Sequence, residues 1–547
     1  MSIATLILVT ALQAAPGAGA AVVTDVDPVF AEWTLTTPGC AVGVDVDGRS
    51  VLEKGYGMAD LERSVAIAPD TIFEAGSVSK QFTAAAVLLL ARERRLSLDD
   101  PIHRYFPELP DYGAPVTIRQ MLTHTSGLRD WGSVAGIAGW PRTTRAHTQA
   151  HVLDILSRQR ALNFAPGTRW SYSNSGYNLA AMLVARLSGM SFAEFTRRRI
   201  FEPLGMASTS WRDDHTRLVQ KRALAYDKRD DGYHLDMPFE DAHGNGGLLT
   251  TVGDLLRWSR NFRTPIVGDQ AFVTEQTTPG RFSDGQAHDY GLGVTLGSYR
   301  GLREVRHSGS TAGYRAYLTV FPDRRAAVAV LCNGGNARAE ALTYAVVDRV
   351  LAGSLTPTAA PRSRHTLTEA ELNGLAGLYR HTRTGAATRL VREGGEIRIE
   401  RGAVLQAESG ARLRSPGRRW DFAGGRLSVT DGFGRVDAFE RVAAWAPTAA
   451  ELAAFEGQYR SAEAETAFTA AVEGGVLVLR QRPDRAVHLA PLYQGAFTGW
   501  IGTVVFRRDA GGRIEGFSIN QDRVWDLRVE RMVSPSTRSG GPGGARR

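Results

Sequence analysis

The sequence predicts an α/β (α+β) domain, an antiparallel sheet flanked by helices, followed by two small antiparallel β-barrels. Three observations predict it. Hairpin patterns stand near both ends of a block over residues 25–355 whose interior reads largely as helix. A Pro- and Thr-containing stretch then interrupts the chain, and the remainder repeats itself at a constant offset of 80 residues.

Taken in order, Ile3 to Ala15 is mostly apolar and Ala18-Gly19-Ala20 offers a small-residue cleavage site. Residues 1–20 therefore read as a secretory signal, although no Lys or Arg precedes Arg49. The expectation is an exported bacterial protein, periplasmic or secreted. The apolar stretch is too short to span a membrane, and no integral membrane segment is expected elsewhere. Cys40 to Val46 reads as a strand, Asp47-Gly48 as a hairpin turn and Ser50 to Gly57 as the returning strand. Ser77 to about Glu93 is apolar on nearly every side, which is the pattern of a buried helix. An amphipathic run covers Tyr177 to Leu187. Gly313 to Phe321 and Ala326 to Leu331 form a late hairpin across Pro322-Asp323-Arg324-Arg325, and helical periodicity returns from Ala337 to Leu351. A sheet built from hairpins is antiparallel.

Residues 356–366 read as a linker. Beyond them Thr368-Glu-Ala-Glu-Leu372 recurs as Thr448-Ala-Ala-Glu-Leu452, and Gly377-Leu-Tyr-Arg380 as Gly457-Gln-Tyr-Arg460. Glu393-Gly-Gly-Glu-Ile-Arg-Ile399 likewise recurs as Glu473-Gly-Gly-Val-Leu-Val-Leu479. Two copies are too few for a solenoid, so residues 367–445 and 447–533 are expected to be two barrels, each closing its own edges. Residues 534–547 read as a flexible Gly/Ser/Pro-rich tail.

Composition bounds the function. The 547 residues are 43% hydrophobic and 22% charged, which excludes a disordered, collagen-like or coiled-coil chain. The net charge of +8 does not mark a nucleic-acid surface. Residues 1–355 carry 37 Lys+Arg against 36 Asp+Glu, the excess lies in 356–547 with 28 against 21, and no nucleic-acid-binding motif accompanies it. The two cysteines, Cys40 and Cys332, permit at most one bridge. They are expected as a buried thiol pair, linked only if their strands are neighbours in an oxidising compartment. His147 and His151 are four apart, but no His-Glu-x-x-His or cysteine cluster joins them, so neither a metal nor a cofactor is expected. A Gly-x-Ser-x-Gly elbow, a Walker loop and a Rossmann fingerprint are all missing.

Three short segments carry chemistry. The chain has four lysines, Lys54, Lys80, Lys221 and Lys228, and the remaining basic residues are arginine. Lys80 lies three residues after Ser77, one turn away on a helix face. An amine can give up its proton and serve as a base, which a guanidinium cannot. Ser77 at a helix start also gains from free N–H groups that stabilise developing negative charge. Alone, the pair is equally an N-capping serine with a surface lysine. Tyr172-Ser173-Asn174 follows Pro166-Gly167 and places a phenol and a carboxamide two residues apart. They could move a proton and hold a substrate carbonyl, or be a packing aromatic and a helix cap. His307-Ser308-Gly309-Ser310 is read as opening the first strand of the late hairpin region, where a backbone N–H could face an oxyanion.

In this order the three segments resemble the serine β-lactamase, penicillin-binding DD-peptidase and D-aminopeptidase superfamily. The resemblance covers about residues 25–350 and rests on Ser77-Val-Ser-Lys80, Tyr172-Ser-Asn174 and His307-Ser-Gly309. Leu122-Thr-His-Thr-Ser-Gly-Leu128, Phe201-Glu-Pro-Leu-Gly-Met206 and Gly244-Asn-Gly-Gly-Leu248 look like its structural landmarks, and no chemistry is assigned to His124 or Glu202. The resemblance implies Ser77 as nucleophile, Lys80 and Tyr172 sharing the proton transfers, and Asn174 orienting substrate. It implies an electrostatic or hydrogen-bond-donating His307, and an oxyanion and substrate-binding strand at Gly309 and Ser310, with the N–H groups of Ser77 and Ser310 facing the oxyanion. β-Lactamases proper have Lys-Thr-Gly where His307 stands, which points away from efficient β-lactam hydrolysis. His-x-Gly and a pair of C-terminal barrels are similar to D-aminopeptidase, and Val504 to Asp509 through Gly516 resembles its last barrel. By that analogy a loop within 450–532 reaches the site. The expected function is a serine hydrolase that forms an acyl-enzyme on Ser77 and cleaves amide bonds of D-amino-acid-containing peptides or related small acyl compounds. A carboxylesterase on the same scaffold and a non-turning-over sensor of penicillin or peptidoglycan are the alternatives.

Overall fold

A computed structural model describes residues 26–357, 365–400, 402–482 and 484–532. The expected leader, the tail and most of the linker lie outside them. The described residues divide into two compact units, one lying within Met1–Ser97, Ala180–Gly280 and Asp289–Thr358, the other within Leu98–Leu179, Arg281–His288 and Ala359–Arg547.

The first unit is built on a six-stranded antiparallel sheet. Its strands are β1 (Cys40–Val46), β2 (Arg49–Tyr56), β3 (Thr295–Tyr299), β4 (Leu302–Thr311), β5 (Tyr314–Phe321) and β6 (Ala326–Cys332), in the spatial order β3-β4-β5-β6-β1-β2. Alternation with a period of two sends successive side chains of β1 to opposite faces. Val42 and Val44 join Val328, Val330, Leu342 and Val346 in one core, under the helix Ala339–Val350. On the other face Gly43 meets the helix Val252–Asn261: a Cβ there would lie 3.1 Å from Leu256 and Val252. Both faces being covered, β1 and β6 are buried nearly end to end, as their unbroken apolar runs require.

The hairpin and late-hairpin strands lie within a residue or two of the expected boundaries. Two expectations are corrected. The segment expected as one helix from Ser77 divides into a 3₁₀ turn, Gly76–Ser79, and an α-helix, α1 (Lys80–Arg92), buried from Lys80 to Leu90. Cys40 and Cys332 stand opposite each other in the β1–β6 register and are joined as a disulfide, not held as a thiol pair.

In the second unit, short helices Ile118–Leu122, Trp131–Ile137 and Gln149–Ser157 precede Tyr172. Its C-terminal part is two closed eight-stranded barrels, Gly377–His381 to Val436–Val442 and Gly457–Ser461 to Leu527–Arg531. The repeat seen in the sequence is a structural repeat. Each barrel is entered by a short helix with a capping box, Thr368 with Glu371 and Thr448 with Glu451. Each then buries a tyrosine whose hydroxyl donates to a carbonyl at the helix end, Tyr379 to Leu375 and Tyr459 to Phe455.

Candidate active site

Ser77 follows strand Phe73–Glu74, which pairs with Leu248–Thr250. Directly before the turn, Glu74 accepts two hydrogen bonds from Arg212, at 2.8 and 3.1 Å, both side chains at most 1% exposed. The turn itself requires a glycine. Gly76 has φ +50°, and a Cβ there would lie 2.6 Å from the Ser310 nitrogen. Gly309 is required for the same approach, since its Cβ would lie 2.0 Å from the Ala75 carbonyl oxygen. Strand β4 thus runs in backbone contact with the Ala75–Ser77 turn, the placement an oxyanion-binding pair of N–H groups from Ser77 and Ser310 needs.

Lys80 opens α1 with its side chain fully buried. Its Nζ lies 3.2 Å from Ser77 Oγ and donates to the Asn245 carbonyl at 2.6 Å. The Gly244–Leu248 segment grips the same turn of helix: Thr83 donates to the Gly244 carbonyl at 2.7 Å, and the Leu248 N–H donates to Ser79 Oγ at 3.2 Å. A neutral amine has two N–H groups and one lone pair. Once Lys80 has given up its proton, with one N–H on Asn245 O, its lone pair can take the Ser77 proton.

His307 is also placed here, though within β4 and not at the opening of a strand. It is 5% exposed. Its Nδ1 lies 2.6 Å from the Ser308 carbonyl, which can only accept, so the ring proton sits on Nδ1. Nε2 is then an acceptor and takes the hydroxyl proton of Tyr290 at 2.8 Å. Burial, then the nearby Lys80 cation, lowers its pKa to about 3. The imidazole is therefore neutral with both nitrogens engaged inside the protein. The ring ties Tyr290 to β4.

Ser77, Lys80, His307, Gly309 and Ser310 thus come together in the first unit. Tyr172 and Asn174 belong to the second, where His124 organises them. His124 adopts φ +60°, its ring packs 4.2 Å from that of Tyr172, and its Nδ1 accepts the Ser173 N–H at 3.2 Å. Asn174 ends the loop at the start of helix Ser175–Ser188, its carbonyl accepting from Tyr177 and Asn178. Its own N–H donates to Asp130 Oδ2 at 2.8 Å, while Asp130 Oδ1 caps helix Trp131–Ile137 through the Ser133 N–H at 3.0 Å.

Within the second unit, a loop of the second barrel packs on Tyr172. Residues 521–526 of the second barrel place the Arg523 guanidinium 4.9 Å from the centre of the Tyr172 ring. The Arg523 carbonyl accepts from Asp130 N at 3.3 Å and Asn163 Nδ2 at 3.0 Å. The first barrel contributes Phe433, whose ring lies 5.9 Å from Trp170. His124, Asp130, Asn245, Tyr290 and Arg523 were not identified as functional from sequence. The landmark segments 122–128 and 244–248 covered His124 and Asn245 and the barrel analogy covered the span of Arg523, whereas Asp130 and Tyr290 carried no signal.

His147 and His151 pack ring to ring, and His151 completes the capping box of helix Gln149–Ser157.

A serine turn against strand β4 of an antiparallel sheet, with a buried lysine three residues after the serine, is the arrangement on which the chain is assigned to a class. The family described as Beta-lactamase matches residues 8–351, and the chain belongs to it. Among curated relatives, penicillin-binding protein 4* of Bacillus subtilis is 30% identical over 302 residues, 52% of this chain and 66% of the relative. A D-aminopeptidase of Gluconobacter oxydans is 30% identical over 298 residues, 54% of this chain and 56% of the relative. The matches thus span from just over half to about two thirds of these relatives' length. Among solved structures, the D-amino acid amidase of Ochrobactrum anthropi SV3 covers 60% of this chain and 97% of its own, with TM-score 0.52 and 24% identity, a likeness of fold. No helix among the described residues is long and apolar enough to cross a membrane.

Proposed function

We propose that the protein is a serine hydrolase that forms an acyl-enzyme on Ser77 and cleaves amide bonds in D-amino-acid-containing peptides. The observation that carries the reading is the fully buried Lys80 amine 3.2 Å from Ser77 Oγ. The D-aminopeptidase relatives support the substrate class.

In this mechanism Ser77 Oγ attacks the substrate carbonyl carbon and its proton passes to the Lys80 amine. The carbonyl oxygen becomes an oxyanion held by the N–H groups of Ser77 and Ser310. Collapse breaks the C–N bond, and the leaving amine takes a proton delivered by Lys80 and Tyr172. Water then attacks the ester, its proton retraces the path, and the acid leaves with Ser77 restored. Asn174 orients the substrate, and His307, being neutral, adds no charge that would oppose protonation of Lys80 during the reaction. The Cys40–Cys332 disulfide supports export to an oxidising compartment.

The test is release of p-nitroaniline from D- and L-alanyl p-nitroanilides, free and N-acetylated, by the wild type and Ser77→Ala. D-selective release lost in the variant is expected. Equal release by Ser77→Ala would overturn the mechanism, and L-selectivity would overturn the substrate class.

A further inference from the structure

The guanidinium of Arg523 is the observation the mechanism leaves unused. It lies over the Tyr172 ring, its side chain is 38% exposed, and among the described residues it donates no side-chain hydrogen bond. Its one carboxylate neighbour is the adjacent Asp522, 3.9 Å away and 92% exposed. Neighbouring arginines are spent on structure. Arg129 is 2% exposed and donates to Glu463, Gln159 and the carbonyls of Trp525 and Asp526. Arg169 donates to Asp437 at 2.7 Å.

The backbone that carries Arg523 is, by contrast, held firmly. Besides the two bonds to its carbonyl, the Gln521 N–H closes a turn on the Val524 carbonyl at 2.7 Å, and the Trp525 N–H donates to Asn163 Oδ1 at 2.8 Å. A fixed backbone presenting an uncommitted five-donor fork is a recognition arrangement, and the planar fork matches a carboxylate. Contact with the ring face holds the guanidinium in place without using its N–H groups.

We infer that Arg523 is a specificity residue that binds a carboxylate of the substrate beside Tyr172, so that the enzyme prefers D-amino-acid amides carrying a free carboxylate over the matching carboxamide. The inference rests on the assignment of Tyr172 to the reaction and deepens the proposed function: it selects peptides that keep a C-terminal acid, as a carboxypeptidase would, over those recognised by a free amine. The same cation repels an ammonium.

The experiment compares kcat/KM for N-acetyl-D-alanyl-D-alanine and its C-terminal carboxamide, using the full-length wild type, Arg523→Ala, Arg523→Lys and Arg523→Glu. The wild-type ratio is expected to favour the acid by about tenfold or more, expressed mainly in KM, as for hydrogen bonds to a charged group. It falls toward one in Arg523→Ala, is partly kept in Arg523→Lys and inverts in Arg523→Glu. If Arg523 only packs the loop, Arg523→Ala lowers both substrates alike and the ratio stays, which overturns the inference. A second measurement needs no turnover. Fluorophosphonate labelling of Ser77 is competed with phenylboronic acid or 3-carboxyphenylboronic acid, and the carboxylated compound is expected to protect better in the wild type alone. Labelling with equal protection in wild type and variants refutes the carboxylate site only, whereas no labelling at Ser77 removes the proposed function and this inference together.

Discussion

Asp130 joins two N–H groups that have no reason in sequence to meet. Its Oδ1 accepts the Ser133 N–H at 3.0 Å and its Oδ2 the Asn174 N–H at 2.8 Å, with the residue 3% exposed. Asp130→Ala removes a helix N-cap, worth about 1 kcal/mol. It also leaves the Asn174 N–H buried without its acceptor, worth about 1–3 kcal/mol, so the local cost is about 2–4 kcal/mol. Asp130→Asn keeps an oxygen for Ser133 but turns an NH₂ toward Asn174, so only the second part is lost. Because the chain holds more than one compact unit, a single global unfolding energy would blur the effect. Amide hydrogen exchange reads it locally. Asp130→Ala is expected to lower protection at both Ser133 and Asn174, and Asp130→Asn at Asn174 only. The roughly ten- to hundredfold loss expected at Asn174 corresponds to the energy above. Unchanged protection of the Asn174 amide in Asp130→Ala would refute the reasoning. The same variants are expected to lower kcat, because Asn174 then loses its fixed backbone.

Lys80→Arg retains a cation but cannot supply a lone pair, so it is expected to lose activity as fully as Lys80→Ala, by about a thousandfold; substantial activity in Lys80→Arg would refute the base role. The low pKa of His307, about 3, means that the fold holds the neutral ring. Stability from this group is complete above the unfolded value near 6.5 and is lost as pH falls toward 3. His288, lowered to about 4 by burial and then by Arg435, acts in the same direction. The urea midpoint should therefore drop steadily below pH 6.5, and the His307 ring resonance should stay flat from pH 5 to 8; a ring titrating near 6.5 would contradict the geometry. The disulfide closes a separation of 292 residues, for which chain entropy gives about 6 kcal/mol. A thiol count of zero before reduction, and a lower melting temperature after it, are expected.

Much of the fold was legible because it is locally encoded. The runs at Cys40–Val46 and Ala326–Cys332 are apolar strands bounded by turn residues, and the repeated Thr-x-x-Glu boxes and tyrosines mark both barrel entrances. Strand β4 was harder to read. Arg303, Glu304 and Arg306 interrupt its apolar pattern, yet Glu304 is buried, its carboxyl raised by that burial, and accepts from Tyr344. The strand thus carries charge inside, and His307 looked like its start when it lies well within it. Ser77 and Lys80 were legible because they are three residues apart. What holds them was not: Asn245 is 165 residues from Lys80, and nothing in Gly-Asn-Gly-Gly announces a carbonyl aimed at an amine. The neutral state of His307 likewise depends on burial and on Tyr290, which only packing supplies. Arg523 is one arginine among many in the barrels, and only packing shows that it is the one over the Tyr172 ring.

The central claim, a covalent acyl intermediate on Ser77, is tested most directly by intact-mass spectrometry of the protein mixed rapidly with N-acetyl-D-alanyl p-nitrophenyl ester and quenched in acid. The account predicts one added acyl mass, mapped by peptide digestion to Ser77 and missing in Ser77→Ala. An adduct on another residue, or turnover that persists in Ser77→Ala, would contradict it.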